Sequence, residues 1–591
     1  YDLTNAIRIM VEKKMKIDEV DAVISKAVGR PGTAIFGTLD LVGLDTGYHV
    51  MKNLYEAVKD DESRDVFIPV DFLTKMMENK WLGNKTKQGF YKKIRDDKGK
   101  TVKMVLDYNT MEYTPAGKPV FESLAAAKKK GEEGVGAMAK SLFNGNDAAA
   151  DLIREYFCNN FIYAANRVPE ICDNIVAVDN AMKWGYNHQL GPFELWDAVG
   201  VKDVVAVMKK LKKKVPKKID EMLKAGCESF YVKKKDGLYC YDFSAKGYVK
   251  IEDNPKVILL PALKERKKVI KSNDSASLVD IGDGVACLEF HTKMNAVDDG
   301  LVEMIFAGCD IVEKDFAGMV VGNHAANFSA GANIFKILGA CQSGQWDVLT
   351  KLSSEFQNAN MRMKYLSKPV VTAPAGMALG GGCEMAMHGA RCQPCGETYM
   401  GLVEVGVGVI PGGGGCKEIA LRLTEGIPTG AIEGGLNLQQ FYTKAFENIA
   451  LAKVSTSAVE AMDLGYIRRT ENISMNRDQQ LWDAKQLVLG LSGVYKEPRP
   501  ALIPVMGENF RGIIEAALYN MKEGKYISEY DVHVARKVAY ILSGGDCAEG
   551  TYVTEQELLD LEREAFLSLC GEQKTQDRIT HMLTTGKPLR N

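Results

Sequence analysis

Glu384 and Glu404 stand about twenty positions apart, each beside a run of small residues: Gly380–Gly382 precede the first, and Pro411–Gly415 follow the second. A further small-residue turn, NFSAGANI (Asn327–Ile334), lies upstream. Glycine lets backbone turn sharply and approach a ligand closely. A helix that starts after such a turn offers unpaired N–H groups at the positive end of its dipole. Gly381 is such an amide, and the NFSAGANI turn offers another exposed N–H. Two peptide donors polarise a carbonyl, while two carboxylates move protons and direct a water; that combination suits the addition of water to an unsaturated thioester. Taken alone, Glu384 also reads as a first-turn acid that complements the helix dipole. Glu404 shifts the reading, because a carboxylate in so apolar a stretch (GLVEVGVGVI) is costly to bury unless paired or functional.

The pattern around these residues predicts the elements that hold them. SLVDIGDGVACLEFH reads as two strands joined by a Gly-Asp-Gly turn, and GMVVGN and VVTAPAG read as short buried strands. Helices are expected after Asn333 and after Gly382, which gives the strand–helix alternation of an α/β domain. From about Lys496 the pattern turns helical again. The first half is different: a helical unit around residues 5–52 recurs around 160–208. Asp40 and Gly43 of DLVGLD correspond to Asp197 and Gly200 of DAVGVKD, and each copy runs on to an aromatic segment, Trp81–Lys93 or Ser229–Asp242. Between the copies, SLAAAKKKGEEGVGAMAKSLFNGN predicts a surface helix and a loop. The expected domains are 1–125 and 126–250 for the two copies, 251–276 as a linker, 277–495 as the α/β core and 496–591 as its helical C-terminal region.

With 591 residues the chain is too long for one core. Its 46% hydrophobic and 26% charged residues are those of a globular protein, and a net charge of -2 gives no case for nucleic acid as partner. No apolar run is long enough to span a bilayer. The 13 scattered cysteines suit free thiols in the cytoplasm rather than a disulfide framework. Cys392-Gln-Pro-Cys395 is a lone pair with no further ligands, so no metal site is expected.

Residues 278–591 resemble the enoyl-CoA hydratase (crotonase) family through NFSAGANI, KPVVTAPAGMALGGGCE and GLVEVGVGVIPGGGG. The resemblance implies Glu384 and Glu404 as catalytic acids and the amides of Ala332 and Gly381 as the oxyanion hole. HTKMNAV (His291–Val297) resembles the family's loop near the adenine of coenzyme A. Lys293, Asn295, Gly331 and Gly380 are the further contacts expected to the substrate. The duplicated first half resembles the C-terminal domains of 3-hydroxyacyl-CoA dehydrogenase through GRPGTAIFGTLDLVGLD, QLGPFELWDAVGV and WLGNKTKQGFYK. Together these imply a bifunctional fatty-acid β-oxidation protein: duplicated all-α dehydrogenase domains, then an α/β crotonase domain.

That resemblance implies acyl-CoA substrates, a homo-oligomer and a thiolase partner. It also implies an NAD-binding domain ahead of Tyr1, with no NAD site in this chain. The best near-match to a dinucleotide fingerprint, Gly134–Ala139, follows no predicted strand. A Δ3,Δ2-enoyl-CoA isomerase and a non-catalytic acyl-CoA-binding fragment are the alternative readings.

Overall fold

The computed structural model describes residues 1–97 and 99–591 and divides into two compact units, Tyr1–Glu252 and Asp253–Asn591. In the first unit the helix Asp2–Lys13 buries Ala6, Ile7, Ile9 and Met10 on one face. It packs on the long helix Ala148–Glu170, so both copies of the repeat feed a single apolar core. Each copy closes with a three-stranded antiparallel sheet: 91–95, 101–107 and 112–115 in the first, 231–234, 237–242 and 247–250 in the second. The aromatic segments noted in the sequence form the entry to these sheets.

The repeat is chemical as well as topological. Asp40 accepts hydrogen bonds from the amides of Phe90 (2.8 Å) and Tyr91 (2.9 Å), and Asp197 accepts from Phe230 (2.7 Å) and Tyr231 (2.8 Å). Asp21 accepts from the amides of Ile35, Phe36 and Gly37 and from the Tyr91 hydroxyl. Asp179 does the same for Phe193, Glu194 and Tyr231. In each copy two aspartates therefore tie a helix start to the first strand of the sheet. Between the copies, the expected surface helix and loop are instead two helices, Glu122–Lys129 and Val135–Phe143. Leu124, Ala127, Ala139, Leu142 and Phe143 carry them into the core, which a lysine-rich sequence obscured.

The second unit is built on a six-stranded sheet in the order 391–392, 370–372, 318–321, 285–290, 276–280, 269–272. The first four strands are parallel and the last two antiparallel. Side chains alternate between two apolar layers, as a strand's period of two requires. Leu278, Leu288, Phe290, Met319, Val321 and Val370 face the main core, while Val279, Cys287, Val320 and Val371 meet Leu481, Ala484 and Val488 of the helix Gln480–Ser492. The expected strand pair is present, at Ala276–Asp280 and Val285–Phe290.

Residues 251–276, read as a linker, contain the helix Leu260–Glu265 and the outermost strand Val269–Ser272. Ile258 and Leu260 seal the second apolar layer there. The C-terminal helices Glu529–Leu542 and Glu555–Cys570 contribute Val534, Val538, Leu558 and Phe566 to the main core. No helix among the described residues is long and apolar enough to cross a membrane.

Candidate active site

Two short parallel strands, Gly376–Leu379 and Thr398–Gly401, end side by side and position the site. The first runs through Gly380 (φ 53°) into the helix Gly381–Met387, which carries Glu384 in its first turn. The second leads into a 3₁₀ turn that begins at Glu404. The Gly380 amide donates to the Gly401 carbonyl at 2.9 Å, locking the two chain ends together. A Cβ on Gly380 would lie 2.9 Å from Glu404 Oε1, so glycine is required there both by the backbone angle and by the carboxylate over it.

The Asn327–Ile334 turn is stitched to the same strand. Ser329 N–H donates to Met377 O (3.0 Å), and Leu379 N–H donates to Ser329 O (3.0 Å). This brings Ala332 N within 3.5 Å of where a Gly381 Cβ would stand, and Gly381 N within 3.5 Å of a Gly331 Cβ. Neither the Ala332 nor the Gly381 amide donates to an acceptor among the described residues. Two free, adjacent N–H groups are thus present at the predicted place.

The two acids differ sharply in surroundings. Glu384 is buried, and its Oε1 accepts from the amides of Gly413 (2.8 Å) and Gly415 (2.9 Å). Burial pushes its carboxyl up to about 7, against the pull of those amides and of Lys417. Glu404 is partly exposed as a residue, yet its Oε2 is buried with no hydrogen-bond partner. Burial first, then the charge of Glu384, holds it well above the usual carboxylate range. Near neutral pH the pair therefore divides into an acid able to lose its proton and one that keeps it.

The expected coenzyme A contacts are less uniform. Gly331 and Gly380 lie beside the free amides, and Lys293 is exposed in a 3₁₀ turn. Asn295 is buried, and its side-chain amide donates to Asn327 O at 3.0 Å. It fastens the 292–297 loop to the Asn327 turn, and its N–H is spent within the protein rather than offered to a ligand.

Several residues of the site escape a reading of local motifs. Glu562, from the helix Glu555–Cys570, is fully buried and accepts from the amides of Gly414 (2.8 Å) and Lys417 (2.6 Å). Beneath it, Lys417 Nζ contacts Glu418 (2.8 Å), Glu555 (2.9 Å) and His388 Nε2 (2.9 Å). Lys364 bridges the same two glutamates at 2.8 Å each. An ammonium only donates, so His388 Nε2 accepts and Nδ1 carries the proton toward the Glu384 carbonyl, 2.6 Å away. Burial and the nearby Lys417 push His388 down to about 3, which keeps it neutral.

A signal for Glu562 did exist. Glu555, Leu558, Leu559, Glu562, Phe566 and Leu569 share one helical stripe, and acids at core positions of such a stripe are expensive without partners. Cys392 and Cys395 are buried free thiols.

A family model for the C-terminal domain of 3-hydroxyacyl-CoA dehydrogenase matches residues 2–93 and 161–242, one segment per copy of the repeat. A second, described as enoyl-CoA hydratase/isomerase, matches residues 284–427 and so spans both free amides and both glutamates. Across its whole length the chain is 42% identical to a probable 3-hydroxyacyl-CoA dehydrogenase of Bacillus subtilis and covers 73% of that protein. The chain belongs to this dehydrogenase–hydratase family. It is also 26% identical, over 97% of its length and 70% of the relative's, to a putative fatty acid oxidation complex trifunctional enzyme of Rickettsia felis. An enoyl-CoA hydratase structure from Bacillus halodurans overlays at a TM-score of 0.36 and 16% identity, over 52% of this chain and 99% of that one.

Proposed function

We propose that the second unit hydrates trans-2-enoyl-CoA to 3-hydroxyacyl-CoA. Family membership makes the chain an enzyme of fatty-acid β-oxidation that joins dehydrogenase-type and hydratase-type domains. The observation that carries the reading is the partnerless, buried Oε2 of Glu404, whose carboxylate lies over Gly380, together with the free amides of Ala332 and Gly381. A buried polar atom without a partner is costly, and here a substrate would supply what is missing.

In this mechanism the thioester oxygen accepts from Ala332 and Gly381, which favours negative charge on it. Glu384, the more readily ionised acid, takes a proton from water as the water oxygen bonds to the β-carbon. The double-bond electrons move toward the thioester, and Glu404 gives its proton to the α-carbon. One water is consumed, and the proton gained by Glu384 is later exchanged back to Glu404. Gly331 and Gly380 leave room for the thioester, and Lys293 is exposed for the phosphates of coenzyme A.

The near-match to a dinucleotide fingerprint lacks the strand that gives such a motif its meaning. Gly134–Ala139 follows a 3₁₀ turn at Gly131–Glu133, not a strand, and opens the helix Val135–Phe143. The first unit is read as the acyl-CoA side of the dehydrogenase reaction. A homo-oligomer, a thiolase partner for the downstream product and a cytoplasmic location belong to the same proposal.

The test is optical. Crotonyl-CoA should lose its enoyl absorbance on incubation with the protein. A rise in that absorbance from a 3-enoyl-CoA, without bleaching of crotonyl-CoA, would instead make the site an isomerase. No change with either would leave an acyl-CoA-binding protein.

A further inference from the structure

The turn Gly412–Lys417 presents four buried amides to the interior, and a single glutamate does not satisfy them. Glu384 Oε1 takes those of Gly413 and Gly415. The intervening Gly414 amide points the other way, to Glu562 Oε2, and the Lys417 amide reaches Glu562 Oε1. Successive amides thus alternate between two carboxyl groups that grip the turn from opposite sides. Glu562 lies some 150 positions further along the chain and is fully buried.

An acid at a core position of a helix is a poor choice for stability alone. Desolvating a carboxylate costs several kcal/mol, and a hydrophobic residue of similar size is often neutral or better. Glutamate does offer two oxygens to two divergent N–H groups, which a leucine cannot do. On the carbonyl side Ser353 Oγ and Asn360 Nδ2 donate to Gly412 O (2.8 Å) and Gly413 O (2.9 Å), so the two carboxyl groups are what anchor the turn by its amides. A Cβ on Gly413 would stand 2.4 Å from the Phe356 ring and 2.8 Å from Glu384 Oε2, so the backbone lies flat against both. If Gly414 and Lys417 were released, the two amides that aim Glu384 would move with them.

We propose that Glu562 is a positioning residue for the hydration reaction: it fixes the Gly413–Lys417 turn and, through it, the direction of the Glu384 carboxylate. This deepens the hydratase reading and rests on it. It also makes the C-terminal helix Glu555–Cys570 part of the site rather than a cover over it. Glu562 touches neither of the free amides of Ala332 and Gly381, so the grip on the thioester should not depend on it.

The experiment is steady-state hydration of crotonyl-CoA by the full chain carrying Glu562→Gln, which keeps size but offers one acceptor for two amides. Glu562→Asp, which keeps both oxygens but withdraws them by one methylene, is measured beside it. Misaiming a catalytic group by about 1 Å costs on the order of 10²-fold. Both variants should therefore lose roughly 10–100-fold in kcat while KM stays within about twofold. Wild-type kcat in whichever variant folds would overturn the proposal, as would a loss confined to KM. Glu384→Gln serves as the control. If it is inactive while Glu562→Gln is normal, only the positioning role fails. If Glu384→Gln is itself active, the hydratase reading fails with it.

Discussion

Both units bury carboxylates against backbone amides, and they do so to different ends. In the first unit Asp40 and Asp197 each accept two N–H groups, one on each oxygen for Asp40, and Asp21 and Asp179 accept hydroxyl donors as well. Every oxygen of these four carboxyl groups has a donor, and what they achieve is geometric: a helix start tied to a strand, twice over. In the second unit Glu384 takes both of its amides on one oxygen, and Glu404 keeps a buried oxygen with no partner at all. Burial raises the protonation range of both sets, to about 6 for Asp40 and Asp197 and to about 7 for Glu384. A shifted carboxyl is therefore no mark of catalysis by itself. What separates the two groups is whether acceptor capacity is left over for a ligand.

The sharpest way to break this distinction is to remove the acids on each side of it. Glu384→Gln and Glu404→Gln should each lower hydratase kcat by about 10²–10⁴-fold, the usual worth of a positioned acid or base. Binding of a saturated acyl-CoA, followed by calorimetry, should change little. If Asp197→Asn cost as much turnover as either glutamate, the contrast between structural and catalytic carboxylates would be wrong.

The free amides come next. Gly381→Pro deletes one donor and should lower kcat by roughly 10²–10³-fold in protein that still folds. Gly380→Ala deletes no amide but strains a backbone angle of φ 53° and puts a methyl group 2.9 Å from where Glu404 Oε1 now lies. A loss of about tenfold or more is expected there, in line with the sensitivity of rate to small displacements. Full activity in Gly380→Ala would mean that Glu404 works from another position.

A smaller effect tests the order of the two ionisations. The proposed mechanism needs Glu384 ionised and Glu404 protonated, so kcat/KM should rise through an apparent value near 7 as the pair loses its first proton. It should fall again only well above that, because Glu404 is held higher by burial and by Glu384. A rate that falls across neutral pH would reverse the assignment of base and acid.

These contrasts also show what local sequence reveals and what it hides. Glu384, Glu404 and Gly381 can be proposed from sequence because each sits in or beside a glycine turn whose geometry is set within a few residues, whereas Ala332 is singled out by the family motif. The strand pair at 276–290 and the helix start at Asn333 are legible for the same reason: a Gly-Asp-Gly turn and an asparagine cap act locally. For Glu562 the helical stripe marks burial but not its partners, and for Lys417 local sequence marks neither, since each acquires its role only when helices far apart in sequence pack together. The 122–143 segment misleads in the opposite sense. Its lysines suggest a surface helix, while Leu124, Ala139 and Leu142 on the other faces bury it.

The last contrast lies within the first unit and concerns stability rather than rate. Asp40→Ala would leave the amides of Phe90 and Tyr91 without their acceptor, at a cost of about 1–3 kcal/mol for each buried group left unpaired. Hydrogen exchange over residues 88–95 should quicken accordingly, with crotonyl-CoA hydration unaltered. The wild-type aspartate carries a pH signature of its own. Burial raises its folded-state value to about 6, above the roughly 3.9 of an unfolded aspartate, so the folded state holds the proton more tightly. Its contribution is then fully present below about pH 4, declines as pH rises toward 6, and is flat beyond. Asp40→Asn, which cannot ionise, should lose that decline while still missing one acceptor. Protection of residues 88–95 that is independent of pH between 4 and 6 in the wild type would mean that Asp40 stays ionised throughout. The first unit would then hold its carboxylates by amide donation strong enough to overcome their burial.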